Sequence, residues 1–403
     1  MNKKDVGVFQ TKNGYWAYRF KIVIDGVEIS RRKSTDEQGN KLNNKTEAIR
    51  AREAAMQAAR TERERKREIT RRTIKEVYEE YRKKGCTGKA YKTLVKQDSL
   101  WKNHFCSKWG SRYVDDISVA EINSYLAELY YEQEYAFRYV ESFLKMFYLI
   151  FGQAYSRNYL DIDSYNKICK NKSTKIHMPK LRVDDNTDIV VFTHSELEIL
   201  DKYFEGTNAE TAYLLGRYCG LRINETFGLK WNNVDLEAGT IFIDRQQQYQ
   251  NSLIKLVNPK TRKAKRTIYL CNKIWEHLRA KRQKAMEDAE KFAAVRAQKQ
   301  RFIEDLDGSM ISSCELVNCL PDGTIQTVNS MKYPSREIKS RYGINFKYHY
   351  LRHTYGTLMA EQNTPAHLLC NQMGHGNIHV TQLYYLAVSE TGVDILKKNL
   401  NNL

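Results

Sequence analysis

His349-Tyr350-Leu351-Arg352-His353-Thr354 is the stretch on which the reading of this chain turns. On a helix, His349, Arg352 and His353 stand at i, i+3 and i+4 and share one face. Burying a guanidinium and two imidazoles together is costly without an anionic partner. One hydrogen-bonded histidine would be ordinary packing; three polar groups on one face point to an anion site. Three further motifs flank it. Upstream, Gly220-Leu221-Arg222-Ile223-Asn224-Glu225 follows an apolar helix ending near Cys219. Gly220 suits the residue after a helix end and Asn224-Glu225 opens the next helix, which leaves Arg222 at a junction open to a cleft. Pro259-Lys260-Thr261-Arg262-Lys263-Ala264-Lys265-Arg266-Thr267-Ile268 reads as a basic turn between two strands. Downstream, Met373-Gly374-His375-Gly376-Asn377-Ile378 is followed, nine residues after His375, by Tyr384-Tyr385. Two adjacent tyrosines mean little alone in a chain that has 27 of them.

In order, spacing and local sequence, these four motifs, from about Thr193 to Leu403, resemble the tyrosine recombinase (phage integrase) family. The resemblance implies a mixed α/β tyrosine recombinase catalytic domain, with Arg222, Lys260, His349, Arg352, His375 and Tyr384 as its catalytic groups. Attack on a phosphodiester spreads negative charge over the non-bridging oxygens, so catalysis is mostly positioning and electrostatic stabilisation. Arg222 and Arg352 can each fork onto those oxygens, and His375 can add a hydrogen bond. Tyr384 is the implied nucleophile; a phenol with a reference pKa of about 10 needs help to lose its proton. His349 is implied to accept or relay that proton, and Lys260 to protonate the departing 5′-oxygen, with Lys263 and Lys265 of the same turn as rivals. Glu225 is expected to orient a catalytic group and His353 to pack in support. Only one of Tyr384 and Tyr385 can face the phosphate, and spacing from His375 favours Tyr384. Gly376 departs from the family's more usual serine. A 3′-phosphotyrosyl link conserves bond energy, so no cofactor is expected. No carboxylate cluster of the two-metal kind stands near the motifs, so no metal is expected either.

Composition agrees. The 66 Lys+Arg against 48 Asp+Glu give a formal charge of +18, an excess that draws polyanions by counterion release. The basic residues are spread out rather than gathered beside an anchor, which favours nucleic acid over membrane. Eight cysteines lie scattered without CxxC pairs, as free thiols would in a reducing cytosol. Residues Met1 to Asp5 lead into polar sequence with no apolar signal core, and Phe143 to Phe151 is too short to span a bilayer; a cytoplasmic protein is expected.

The expected fold class is multidomain, mainly α with small β-sheets. Tyr15 to Ile24 and Val27 to Arg32 alternate as strands about an Asp25-Gly26 turn, with a third strand at Gly7 to Thr11 and a helix from about Thr46 to Arg67. The charged run Arg60 to Arg67 reads as a solvated helix face or a linker. Residues 1–68 form this sheet-plus-helix module, and residues 69–172 an all-helical domain. In the latter, Ser118-Val119-Ala120-Glu121 is a capping box and Ala136 to Asn158 a long helix whose aromatics are core. Polar residues 173–190 read as a linker. In the catalytic domain, 191–403, Thr193 opens a helix; Gly239 to Arg245, Ser252 to Val257 and Lys265 to Leu270 alternate as one short sheet; Lys281 to Phe302 is a charged helix. Val393 to Leu400 suggests an amphipathic helix that packs on its own domain or on a neighbour.

By resemblance to lambda and conjugative-transposon integrases, the first module is an arm-binding domain and the second a core-binding domain. Arg19, Arg31, Arg32, Lys263 and Lys265 are the expected DNA contacts. The implied partners are double-stranded DNA at core and arm sites, three further copies in a homotetramer on DNA, an excisionase and a host DNA-bending protein. The implied work is integration and excision of a prophage or conjugative transposon. Rival readings are a type IB topoisomerase-like enzyme, a catalytically silent DNA-binding regulator and an RNA-binding protein.

Overall fold

A computed structural model describes residues 7–24, 27–65, 69–182, 189–386, 393 and 397–401. The chain divides into two compact units, Met1–Asp185 and Asn186–Leu403.

The first unit begins with an antiparallel sheet of β1 (Val8–Gln10), β2 (Trp16–Ile24) and β3 (Val27–Lys33). Alternation along β2 turns Trp16, Tyr18 and Phe20 toward helix α1 (Lys45–Arg65), where they pack with Leu42, Ala48, Ala51 and Ala59. Arg19 and Arg32 pair across β2 and β3 on the opposite, open face, and Arg32 lies 4.6 Å over the Phe9 ring. Arg31 sits opposite Phe20, on the helix-facing side. The Asp25-Gly26 turn lies outside the described residues.

Six helices follow: α2 (Ile74–Glu80), α3 (Tyr91–Leu100), α4 (Cys106–Trp109), α5 (Val119–Ala127), α6 (Phe137–Ser156) and α7 (Ile162–Tyr165). On α6, Val140, Phe143, Leu144, Phe147, Ile150, Phe151 and Ala154 recur at helical spacing and are buried against Phe105 and Trp109. Ser118 caps α5 by accepting from the Glu121 amide, 3.1 Å away. The expected box is only half made, because the Glu121 carboxylate pairs with Arg112 instead. The expected linker also departs from expectation. Ile176 is wholly buried, Tyr148 Oη donates to its carbonyl (2.8 Å), and Arg182 Nη2 donates to the carbonyls of Tyr130 and Tyr131 (2.7 and 2.8 Å). Polar composition hid these bonds, since they anchor the segment through its backbone and one arginine.

The second unit holds α8 (His194–Phe204), opened by the Thr193–Glu196 capping box, then α9 (Glu210–Cys219) and α10 (Ile223–Phe227). Next come β4 (Val234–Asp235), β5 (Thr240–Ile243), β6 (Gln246–Gln250), β7 (Leu253–Val257) and β8 (Arg266–Tyr269). These strands enter two sheets rather than one: β4-β5-β8, and a second in which β6 and β7 are joined by β9 (Phe302–Glu304) and β10 (Met310–Ser312) in the order β10-β9-β7-β6. Helices α11 (Asn272–Lys291) and α12 (Ala293–Lys299) replace the single expected helix. Phe302 already belongs to β9, which pairs with β10 because Ile303 and Ile311 share a small apolar core with Leu256. The last helices are α13 (Lys332–Tyr342), α14 (Tyr348–Glu361), α15 (Ala366–Met373) and α16 (Ile378–Leu386). Of the expected helix at 393–400, only Val393 and residues from Lys397 onward are described. All eight cysteines are free thiols. Among the described residues no helix is long and apolar enough to cross a membrane.

Candidate active site

Two helix ends and one strand bring the motifs together. Gly220 ends α9 with φ +61°, and Arg222 then stands at the start of α10. Its Nη1 donates to Glu225 (2.8 Å) and its Nη2 to the Gly374 carbonyl (3.1 Å). Arg352, on α14, is only 1% exposed; Nη1 donates to the Gly220 carbonyl and Nη2 to the Met373 carbonyl, both at 2.6 Å. These are the carbonyls that helices α9 and α15 leave unpaired at their C-terminal ends, where a cation is doubly favoured. Burial and the neighbouring Arg222 lower the Arg352 pKa to about 9, with Glu225 opposing, so it stays cationic at neutral pH.

Glu225 is 2% exposed and sits among three arginines. Burial would raise its pKa, but Arg266, Arg222 and Arg352 outweigh that and bring it down to about 2. Arg266 is the strongest of them: Nη2 and Nη1 donate to the two carboxylate oxygens (2.9 and 3.2 Å), and Nε donates to the Gln372 carbonyl (2.8 Å). Motif reading assigns Arg266 no role. A signal for it exists, since alternation along β8 places it on the same buried face as Ile268, and a buried arginine requires a carboxylate. Gly374, with φ +65°, admits this arginine; a Cβ there would lie 2.8 Å from Arg266 Cδ.

Tyr384 on α16 is 4% exposed and lies beside the Arg352 guanidinium. Burial raises its pKa above the usual phenol value, while Arg352 and Arg222 pull it back. Its ring lies against Gly356 of α14, where a Cβ would come within 2.9 Å of Tyr384 Cγ, so only glycine allows this approach. The neighbouring Tyr385 points elsewhere: it is 39% exposed and its hydroxyl donates to the Thr364 carbonyl. His375 stacks on Tyr384 with centroids 5.7 Å apart, and Nδ1 lies 2.7 Å from Thr381 Oγ1. Burial, then Arg352 and Arg222, lower the His375 pKa to about 3.

His349 and His353 meet edge to face at 4.4 Å, and His353 lies 6.0 Å from the Tyr384 ring. Nδ1 of His353 is 3.3 Å from the Val190 carbonyl. Burial, then His353, Arg352 and Arg222, lower the His349 pKa to about 4, so it is a neutral proton acceptor although it is exposed, and burial with Arg352 lowers that of His353. Lys260, Lys263 and Lys265 are exposed on the turn before β8. Thr261 of that turn reaches to within 3.9 Å of where a Gly376 Cβ would stand, beside His375. Among the described residues no group of three His, Cys, Asp or Glu side chains is placed to hold a metal ion.

Residues 191–390 match the phage integrase family. The chain belongs to that family. It is thus a tyrosine recombinase family enzyme, a class that breaks and rejoins DNA. A tyrosine recombinase XerC-like protein of Caldanaerobacter subterraneus subsp. tengcongensis is 25% identical over 325 residues, 77% of this chain and 78% of that protein. The Tn1549 transposon integrase, solved with transposon right end DNA, shares the fold with a TM-score of 0.63 at 16% identity, over 82% of this chain and 100% of that one. A lambda integrase tetramer bound to a Holliday junction gives 0.52 at 14% identity, over 95% of this chain and 96% of that one.

In this integrase-family fold side chains of all four motifs meet around Glu225, Arg352 and Tyr384. The structure also adds groups that motif reading passes over, namely Arg266, Thr381, Gly356 and the carbonyls of Gly220 and Met373. Each acts through a contact with a motif residue, which no local sequence pattern reports.

Proposed function

We propose that this chain is a site-specific recombinase that integrates and excises a mobile element or prophage through a 3′-phosphotyrosyl intermediate. The observation that carries the reading is the buried Tyr384 phenol set beside Arg352, Arg222 and His375. Tyr384 Oη attacks the phosphorus, a P–O bond to tyrosine forms, and the bond to the 5′-oxygen breaks. His349 takes the phenol proton, and Lys260 on its exposed turn gives one to the departing oxygen. Arg222 and Arg352 carry the charge that builds on the non-bridging oxygens. Glu225, itself fixed by Arg266, holds Arg222; the Gly220 and Met373 carbonyls hold Arg352, and His353 buttresses His349. The positive charge comes from the chain itself, so the reaction is expected to need neither metal nor cofactor.

Residues 1–68 serve as an arm-binding module whose open sheet face presents Arg19 and Arg32, with Arg31 at the opposite side. Residues 69–172 bind the core site, 173–190 connect, and 191–403 cut, with Lys263 and Lys265 on the backbone. Assembly as a homotetramer on double-stranded DNA is supported by the lambda integrase tetramer on a Holliday junction. An excisionase and a host DNA-bending protein complete the expected partners.

The test is covalent trapping on a nicked suicide duplex carrying the element's ends, with chelator present, resolved on a denaturing gel. An adduct lost in Tyr384→Phe and kept in Tyr385→Phe is the expected result. No adduct on a tightly bound substrate would overturn the recombinase reading.

A further inference from the structure

We propose that Thr381 is a positioning residue: it sets which nitrogen of His375 carries the proton, so that the imidazole offers an N–H to the scissile phosphate. The inference rests on the recombinase reading above. Thr381 is wholly buried on α16, and its hydroxyl lies 2.7 Å from His375 Nδ1. His375 is itself only 5% exposed. Burial and the nearby arginines keep the ring uncharged, and an uncharged imidazole has one N–H and one lone pair. Which is which depends on the partner of the first nitrogen.

A buried hydroxyl proton needs an acceptor, and the Nδ1 lone pair lies within reach of this one. With the Thr381 O–H donating to Nδ1, the ring proton is left on Nε2, at the far side of the ring from Thr381. The opposite tautomer would spend the ring proton on the threonine oxygen. It would also turn a lone pair toward an anion, where only repulsion results. The hydroxyl therefore selects the form of His375 that can stabilise charge developing on the phosphate.

The placement of Thr381 has a second consequence. It precedes Tyr384 by three residues on α16, so both side chains lie on one helix face. His375 is thus gripped by the helix that carries the nucleophile, through Thr381 at Nδ1 and through the Tyr384 ring stacked at 5.7 Å. Docking of α16 delivers the nucleophile and sets the hydrogen-bond donor in one event. Thr381 touches neither substrate nor the reacting atoms; it acts through His375.

The experiment uses the full chain with valine and serine at this position. Thr381→Val keeps the shape and removes the hydroxyl, and Thr381→Ser restores it. Single-turnover cleavage of the suicide duplex is followed beside DNA affinity and the unfolding midpoint, and ¹⁵N-histidine NMR reads the His375 tautomer. Expected are an Nε2–H ring in the native chain, a roughly 10–100-fold slower cleavage in Thr381→Val at unchanged DNA affinity, and recovery in Thr381→Ser. Native-rate cleavage by Thr381→Val, equal slowing in both variants, or an Nδ1–H ring in the native chain would each overturn the proposal. A native chain that forms no adduct would instead remove the recombinase reading, and the tautomer measurement would still decide what Thr381 does.

Discussion

Trp109, Phe105, Phe143 and Phe147 fill the core of the first unit, whereas the second buries Arg352, Arg266, Glu225 and His375 alongside its Leu and Phe side chains. With Tyr, Trp and Cys counted among the apolar residues, every buried polar or charged side chain among the described residues lies in the second unit. The first core is stabilised by removing apolar surface from water, which requires only shape and volume. The second must also compensate desolvated charge, and around Tyr384 it does so with one carboxylate, three guanidiniums and carbonyls at helix ends. Charges buried in this way are weak contributors to stability. They are retained where an anion has to be met by preorganised donors.

Five measurements put that contrast at risk. The largest effect is expected from Tyr384→Phe, which should eliminate the covalent adduct while leaving the second unit folded, as thermal unfolding and DNA binding would report. Next comes Glu225→Gln, which leaves Arg266 facing a neutral amide in a buried site. Loss of about 3–5 kcal/mol is expected in chemical denaturation, together with loss of cleavage. Replacing Glu225 and Arg266 together by Leu and Met should recover much of the stability and none of the cleavage. Recovery of both would mean that these charges serve packing only.

Acidification gives a smaller effect. His375 has a folded pKa of about 3 against an ordinary value near 6.5, so below pH 6.5 the unfolded chain binds the extra proton. Its contribution is present above pH 6.5 and is lost as pH falls toward 3, at about 1.4 kcal/mol per pH unit. Glu225 adds a loss in the same direction between about pH 4.5 and 2. Hydrogen exchange resolved by unit should show the second unit loosening first between pH 6.5 and 5; equal loosening of both would contradict the assignment. The smallest change, Ile150→Val in the first core, should cost about 0.5–1.5 kcal/mol by denaturation of the full chain and leave single-turnover cleavage by folded protein unaltered.

Much of the molecule is legible in its residue order. Strand alternation places β2 and β3 within a residue or two, Thr193 announces α8, and the spacing from His375 selects Tyr384 over Tyr385. These signals are local: a period of two or 3.6, or a cap three residues from its partner. What escapes such reading is non-local. Arg266 lies 41 residues from Glu225, and two strands that alternate alike join different sheets. The segment expected as a linker is held through Arg182 by carbonyls some fifty residues upstream.

Residue order and spacing therefore dictate the chemistry available: which guanidiniums, imidazoles and phenol follow one another, and the helix and strand periods that carry them. Tertiary folding alone chooses which groups meet, that Glu225 neutralises Arg266 and that Thr381 grips His375. Range explains the division. Propensity and periodicity act over a few residues, whereas burying a charge is permitted only by partners that the completed fold brings within about 3 Å of it.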